Sequence, residues 1–460
     1  MDMVIEPEVF GVNDYINKEF DCDCGRIHKT TLKNVAIYPD AISELLEIMQ
    51  QNHCSKPFII CDRNTELAAA KKVQSILTEK AHVALHKIDR DEVVPDEYTL
   101  GELLMACPAD TDLIIAVGSG TINDLSKYLS YRLRLPYIIV ATAPSMDGFA
   151  SAGAALVTNR LKTTYDAHMP LAIIGDVNIL AAAPMELIIA GISDILGKYS
   201  CLMDWQLAHI VNNEYYCSTI VRMVRHSINE VEKNSQGVLN REPSAVASVM
   251  EALVLTGIAM SFSGNSRPAS GSEHHISHFW EMQFLFQGRK AIPHGIKVGI
   301  GTVIASYLYH NLANETPDFK EAQYKAQKFD VEKWENDVTA AFSFAAPEVI
   351  ALEKRCKKND VALCLKRQVI IEQYWNEITA SIHELVPTPE KMIEMLHHLG
   401  APAMPTQIDV SIKNTIDAII MAKEVRDRYT VLQLLWDLGM LGRFAADTVD
   451  WMEQYQKWEE

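Results

Sequence analysis

DLIIAVGSGTINDLSKY, residues 112–128, decides how the rest of the chain is read. Leu113–Val117 is an apolar run of strand length, it ends in Gly118-Ser119-Gly120, and an amphipathic segment opens at Thr121. A buried strand that turns on glycines straight into a helix is one step of a βαβ unit. Glycines let backbone approach a phosphate, and the free N–H groups and positive dipole end of the helix attract it. A lone Gly-x-Gly is equally an ordinary strand–helix turn, and it is not the full GxGxxG fingerprint, so the turn alone leaves both readings open. Thr121 and Asp124 have the spacing of a capping-box-like pair, which predicts where the helix begins.

The same alternation extends outward, from residue 33 to about 176. NVAIYP feeds AISELLEIMQQ, PFIICD feeds ELAAAKKVQSIL, HVALHKI feeds LGELLMAC, and YIIVAT leads into a loop. Short apolar runs feeding helices predict a doubly wound, mostly parallel sheet. ALVTNRLKTTYDAH reads as a hairpin turning at Thr158-Asn159, and LAIIGD as a final strand. Beyond about residue 183 the strand signal stops, and long helical patterns follow, among them MELIIAGISDILGKYSCLM, SAVASVMEALVLTGIAMSF and HGIKVGIGTVIASYLYH. The expectation is an α/β N-terminal doubly wound dinucleotide-binding domain over 1–182 and an all-α C-terminal domain over 183–460, carrying metal and substrate. The polar NETPDFKEAQ, 314–323, reads as a flexible surface connection.

Composition narrows the function classes. Lys+Arg total 42 against Asp+Glu 60, a formal charge of −18, which argues against general nucleic-acid binding and anionic membranes. A small anionic substrate stays open, because a basic pocket can sit inside an acidic protein. The start, MDMVIEPEVF, lacks the basic and apolar regions of a signal peptide, and the richest apolar stretch, 245–262, is interrupted by Glu251 and Gly257. The expected location is cytoplasmic, without membrane insertion. Nine cysteines without a framework rhythm fit reduced thiols. Cys22-Asp-Cys24 with His28 resembles part of a metal site but lacks a second ligand pair in sequence, so ordinary thiols are the expectation.

Three regions carry candidate chemistry. The loop after the next strand, ATAPSMDGFASAG (141–153), offers Thr142, Ala143, Pro144, Ser145, Asp147 and Ser151 beside the Gly118–Gly120 turn, as two consecutive strand ends lining one crevice. Asp62, closing PFIICD, suits an adenosine ribose hydroxyl, and therefore NAD, with a helix cap as the alternative role and NADP left open. In the helical part, GISDILGKYS places Asp194 and Lys198 on one face, and SGSEHHISHFWE (270–281) stacks His274 and His278 four residues apart, with His294 following in AIPHGIKVG. A single histidine in such a helix is more often a core residue. Asp194, His274 and His294 together make the three-ligand set of a catalytic divalent metal.

GSGTINDLSKY, ATAPSMDGFAS, GISDILGKYS, SRPASGSEHHISHFWE, IPHGIKVG and the closing RYTVLQLLWDLGML resemble, in order and spacing, the sn-glycerol-1-phosphate dehydrogenase family. That family sits in the larger dehydroquinate-synthase-like group with iron-type alcohol dehydrogenases and glycerol dehydrogenase. The resemblance implies NAD or NADP as cofactor, cradled by Gly118, Ser119, Gly120, Thr121 and Ile122, with Thr142 to Ser145 on the nicotinamide side and Ser151 also touching it. It implies one divalent metal on Asp194, His274 and His294, with zinc first and nickel or iron as alternatives. Asp147, Asp194 and His278 would contact a small phosphorylated triose, Asp194 and His278 in catalytic roles. Lys198, Arg267 and Lys290 are candidates for its phosphate. A homodimer is left open, as are two rivals, a glycerol or polyol dehydrogenase and a dehydroquinate-synthase-like lyase. The segment around 314–385 matches nothing in the family pattern.

Overall fold

The computed structural model describes residues 11–158 and 161–459; the acidic start and Asn159 of the expected hairpin turn lie outside the described residues. A small ribbon of β1 (Glu19–Asp21) and antiparallel β2 (Ile27–Lys29) comes first. The main sheet contains β3 (Asn34–Tyr38), β4 (Pro57–Asp62), β5 (Ala84–Ile88), β6 (Leu113–Gly118) and β7 (Tyr137–Ala141). After the hairpin of β8 (Gly153–Thr158) and β9 (Leu161–Asp166), β10 (Ala172–Asp176) completes it. Its order is β3-β10-β7-β6-β4-β5, with every pairing parallel. β6, β7 and β10 are buried along their whole length. Continuous apolar strands are what two covered faces require.

One face packs Ile59, Ile115, Val117, Val140 and Ile174 against Leu45, Ile48, Val73 and Leu77. The alternate side chains turn to the other face, where the helix Gly120–Leu133 lies against β6 and β7. The chain leaves β4 for β5 on one side and later leaves β6 for β7 on the other. β4 and β6 are neighbours, so their carboxyl ends, Asp62 and Gly118, flank the topological switch point where open α/β sheets take ligands.

By packing, the chain divides into two compact units: the described part of Met1–Ile195 with Ser218–Ser266, and Leu196–Cys217 with the described part of Arg267–Glu460. The first unit therefore holds an antiparallel pair of helices, Ser218–Leu239 and Pro243–Ser263, besides the sheet. Pro243–Ser263 is long and apolar enough by length and composition to cross a membrane, against the expectation that Glu251 and Gly257 rule such a run out. It is mostly buried, packing on Ser218–Leu239 and on the 147–150 turn, with Met250 reaching Gly175 of β10.

The second unit is helical, with Lys198–Asn212, Ser272–Phe286, His294–Ala313 and Val361–Leu385 forming its centre. Two sequence expectations change. GISDILGKYS is two helices, ending at Leu196 and restarting at Lys198, because Gly197 interrupts the ladder. The segment 314–323 is only briefly irregular, since Asp318 accepts from Lys320 N and Glu321 N, both at 3.0 Å, and starts the helix Phe319–Gln327. The unmatched 314–385 region ends in Val361–Leu385, which packs on Lys198–Asn212 and His294–Ala313.

RYTVLQLLWDLGML supplies a buried ionic clasp. Asp437 accepts from Arg367 Nε and Nη2, both at 2.6 Å, and from the Tyr429 hydroxyl at 2.8 Å. Two parallel N–H···O bonds fit the guanidinium fork to the carboxylate. Asp437→Ala leaves a buried guanidinium uncompensated, and chemical denaturation should show a loss of about 3–5 kcal/mol. A loss within about 0.5 kcal/mol, the range of ordinary surface changes, would reject the clasp as a stabilising element.

Candidate active site

In the first unit the glycine turn opens the helix Gly120–Leu133 with Ser119 at the N-cap and no side-chain cap bond there. The first backbone bond is Asn123 N to Ser119 O, 2.9 Å, so the N–H groups of Gly120, Thr121 and Ile122 precede the helical ladder. The expected Thr121–Asp124 box does not form, because the helix starts a residue earlier than Thr121. Asp124 instead accepts from Ala155 N at 3.4 Å. An uncapped first turn at the switch point is a site for an anion. Asp62 fills the capping role, accepting from Asn64 N and Thr65 N at 2.8 Å each, while standing at the strand end beside Gly118.

The second loop is bound to the first. Thr142 N donates to Gly118 O at 3.0 Å, and the hydroxyls of Ser119 and Ser145 share a short hydrogen bond. Lys127, fully buried, was missed in the sequence reading because it looks like one more helix lysine. Its ammonium donates to Gly148 O (2.7 Å), Gly153 O (3.0 Å) and Ser151 Oγ (3.1 Å), so it pins the turn that carries Asp147 and Ser151. Desolvation lowers its pKa.

Asp194 lies buried on the helix Met185–Leu196 and accepts from Asp147 N at 3.0 Å. That helix presses on the loop at Gly191, where an added Cβ would stand 1.9 Å from Pro144 O. The loop of Thr142, Ala143, Pro144 and Ser145 is thus held between the glycine turn and the Asp194 helix.

In the second unit the three histidines converge. Ring centres of His274 and His294 are 5.1 Å apart, those of His278 and His294 5.4 Å, and those of His274 and His278 6.0 Å. His274 and His278 share a face of Ser272–Phe286, and His294 is the first residue of the next helix. His275 lies on another face, fully buried, and desolvation with nearby Arg428 and Lys358 keeps it neutral.

Two glutamates orient the cluster, Glu273 directly before the histidines in sequence and Glu281, which has no motif of its own. Glu273 Oε1 lies 2.6 Å from His274 Nδ1 and accepts from Gly271 N at 2.8 Å, while Oε2 accepts from the Ser200 hydroxyl at 2.7 Å. Burial alone would push the Glu273 carboxyl up, but these hydrogen bonds, His274 foremost, hold it below its ordinary range. An ionised carboxylate only accepts, so His274 donates from Nδ1 and keeps its lone pair on Nε2. Glu281 does the same twice over: Oε1 is 2.9 Å from His294 Nδ1, and Oε2 is 2.9 Å from His278 Nδ1. Lys297 Nζ, 3.3 Å from Oε1, balances its charge.

The cations fall differently from expectation. Arg267 forks onto Glu214, with Nε to Oε1 at 2.6 Å, and donates to Tyr429 O, which commits it to structure. Lys198 is buried and donates to Ala269 O at 3.0 Å, and Lys290 is exposed. Arg426 and Arg428 were overlooked, having no motif of their own. Burial, with Arg267 and Arg426 as like-charged neighbours, pushes the Arg428 guanidinium down to about 10. Burial also lowers Arg426, against the attraction of Asp427 and Glu281. Positive charge is therefore concentrated here, with Arg428 Nη1 donating to Ser270 O at 2.7 Å.

The fold and these donors define a class, the metal-dependent dehydrogenases of the iron type, and residues 36–184 match the family model described as iron-containing alcohol dehydrogenase. A glycerol-1-phosphate dehydrogenase [NAD(P)+] of Geobacillus stearothermophilus is 30% identical over 91% of this chain and 96% of its own. One from Bacillus licheniformis is 29% identical over 93% and 95% respectively. The chain belongs to the glycerol-1-phosphate dehydrogenase [NAD(P)+] family. The crystal structure of glycerol dehydrogenase from Schizosaccharomyces pombe covers 94% of both chains with a TM-score of 0.54 at 18% identity, a likeness of fold.

Gly191→Ala tests the seat of the Thr142–Ser145 loop. Alanine normally stabilises a helix interior by about 1 kcal/mol over glycine, but the clash with Pro144 should reverse the sign to a loss of about 1–3 kcal/mol in denaturant unfolding. An unchanged or raised midpoint would mean that the helix and loop are not in close contact.

Proposed function

We propose that the protein is an NAD(P)-linked glycerol-1-phosphate dehydrogenase, interconverting dihydroxyacetone phosphate and sn-glycerol 1-phosphate by hydride transfer, with one divalent ion on Asp194, His274 and His294. The carrying observation is the paired imidazoles of His274 and His294, each with its Nδ1 held by a carboxylate that turns its Nε2 lone pair outward. Carboxylate–histidine pairs are how proteins orient a metal ligand and raise its basicity. Two imidazoles and a carboxylate suit zinc, nickel or ferrous iron. Chain continuity supports Asp194 as the third donor: it is buried and lies six residues before Ser200, whose hydroxyl binds Glu273.

When bound, such an ion supplies positive charge beside the substrate oxygen on which negative charge grows, and the nicotinamide supplies the hydride. The chain's own residues do the rest. The free N–H groups of Gly120, Thr121 and Ile122 take the cofactor pyrophosphate, and Asp62 stands where the adenosine ribose would lie, which favours NAD without excluding the 2′-phosphate of NADP. Thr142 to Ser145 and Ser151 line the nicotinamide side. Asp147, tied through its backbone to Asp194, contacts the substrate. His278, whose Nδ1 is held by Glu281, takes up and returns the transferable proton at Nε2. Arg428, with Arg426 and Arg267 as like-charged neighbours, is the proposed partner of the substrate phosphate. Nine cysteines, none in a disulfide, agree with a reducing cytoplasmic setting.

The deciding assay compares dihydroxyacetone phosphate with dihydroxyacetone under NADH and NADPH. The phosphorylated ketone should be preferred, and Arg428→Met should raise its KM roughly 10- to 100-fold, the about 1.5–3 kcal/mol of a charged hydrogen bond. Preference for dihydroxyacetone points to a polyol dehydrogenase instead, and turnover without net NAD(P)H oxidation to a lyase. His294→Ala should abolish turnover and remove the ion required for it, with the unfolding midpoint little changed. Survival of metal-dependent turnover in that variant would refute the ligand assignment.

A further inference from the structure

The ribbon of β1 and β2 is three residues per strand, too short to hold itself together by backbone hydrogen bonds. Its turn is closed by Cys22 N to Arg26 O (3.1 Å) and Gly25 N to Cys22 O (2.9 Å), with Gly25 at φ 79°. This turn brings Cys22 Sγ, Cys24 Sγ and a ring nitrogen of His28 within 4.8 Å of one another, and Cys24 Sγ is 3.4 Å from His28 Nε2. A tetrahedral zinc with Zn–S of about 2.3 Å and Zn–N of about 2.0 Å spaces its ligand atoms by about 3.5–3.8 Å. The observed gap is already of that size.

His28 is prepared as a ligand. It is fully buried, stacked on Phe262 (centres 5.2 Å, 27°) and flanked edge-on by Phe20 (5.3 Å), so its ring cannot turn away. Its ring also hydrogen-bonds the Phe262 backbone. That leaves Nε2 for the thiol side. Cys22 Sγ meets Thr219 Oγ1, on the helix Ser218–Leu239, at 3.6 Å.

We infer that Cys22, Cys24 and His28 bind a structural zinc ion. The site stands apart from the catalytic reading above. Two thiolates and an imidazole are a redox-inert donor set that stabilises a fold. Its work is to staple the ribbon to the first unit's helices, beside Phe262 and Ser263, whose carbonyl accepts from Arg26 Nη1 at 3.3 Å.

Cobalt substitution of the full-length protein tests this, because the proposed catalytic set contains no sulfur. Thiolate-to-cobalt charge-transfer absorption in the near ultraviolet should appear in the wild type and persist in His294→Ala. It should vanish in the Cys22→Ser/Cys24→Ser variant. Titrating the zinc-loaded wild type with an organomercurial should release one zinc per chain, an outcome that needs no variant to fold. Absence of the charge-transfer band in the wild type, or no zinc released by the mercurial, overturns the site.

Discussion

The carboxylate of Glu273 is the point on which the histidine cluster rests. It is fully buried, and it accepts from Gly271 ahead of its own helix, from Ser200 on a second helix and from the adjacent His274. Its backbone is pressed against a third helix, where a Cβ on Gly301 would stand 2.5 Å from the Glu273 carbonyl oxygen. A buried anion is tolerable only when its lone pairs are filled, and here every partner is a donor fixed by a helix. The geometry of His274 is therefore set by the packing of three helices and not by the histidine itself. Glu281 extends the same logic to His278 and His294, with Lys297 as its counter-charge.

Much of the first unit could be read from the sequence, because a parallel sheet covered on both faces needs unbroken apolar strands, and PFIICD, DLIIAV and YIIVAT are such strands. Fully buried positions leave little freedom in residue type, so the pattern is strong. The histidines were legible for a different reason: His274 and His278 sit four apart on one helical face, and with Asp194 and His294 they match a family pattern, while the neighbouring His275 is an ordinary core residue. Their orienting glutamates were not, since Glu273 and Glu281 are indistinguishable in sequence from surface helix residues. Only their burial marks them.

Two other features were hidden by the same limit. Periodicity tells whether a segment is helical but not which layer it joins, so nothing in SAVASVMEALVLTGIAMSF says that it packs with the sheet instead of the helices that follow it. Lys127 and Arg428 likewise look like solvated cations until their surroundings are known. Against a formal charge of −18, a small buried group of arginines is invisible in composition, yet a local excess decides what a pocket attracts. Arg267 shows the converse, being prominent in a motif and wholly occupied by Glu214.

The helix pair Ser218–Ser263 has a consequence for biogenesis. The sheet is complete once β10 has been made, but Met250, which lies against Gly175 of that strand, follows it by some seventy residues. Chains emerge from the ribosome amino end first, so a nascent polypeptide released only through the last strand has Gly120–Leu133 over β6 and β7 but leaves the β3–β10 end of that face uncovered. Vectorial folding must wait, and during that interval the exposed Val/Ile surface is the natural target of a holding chaperone.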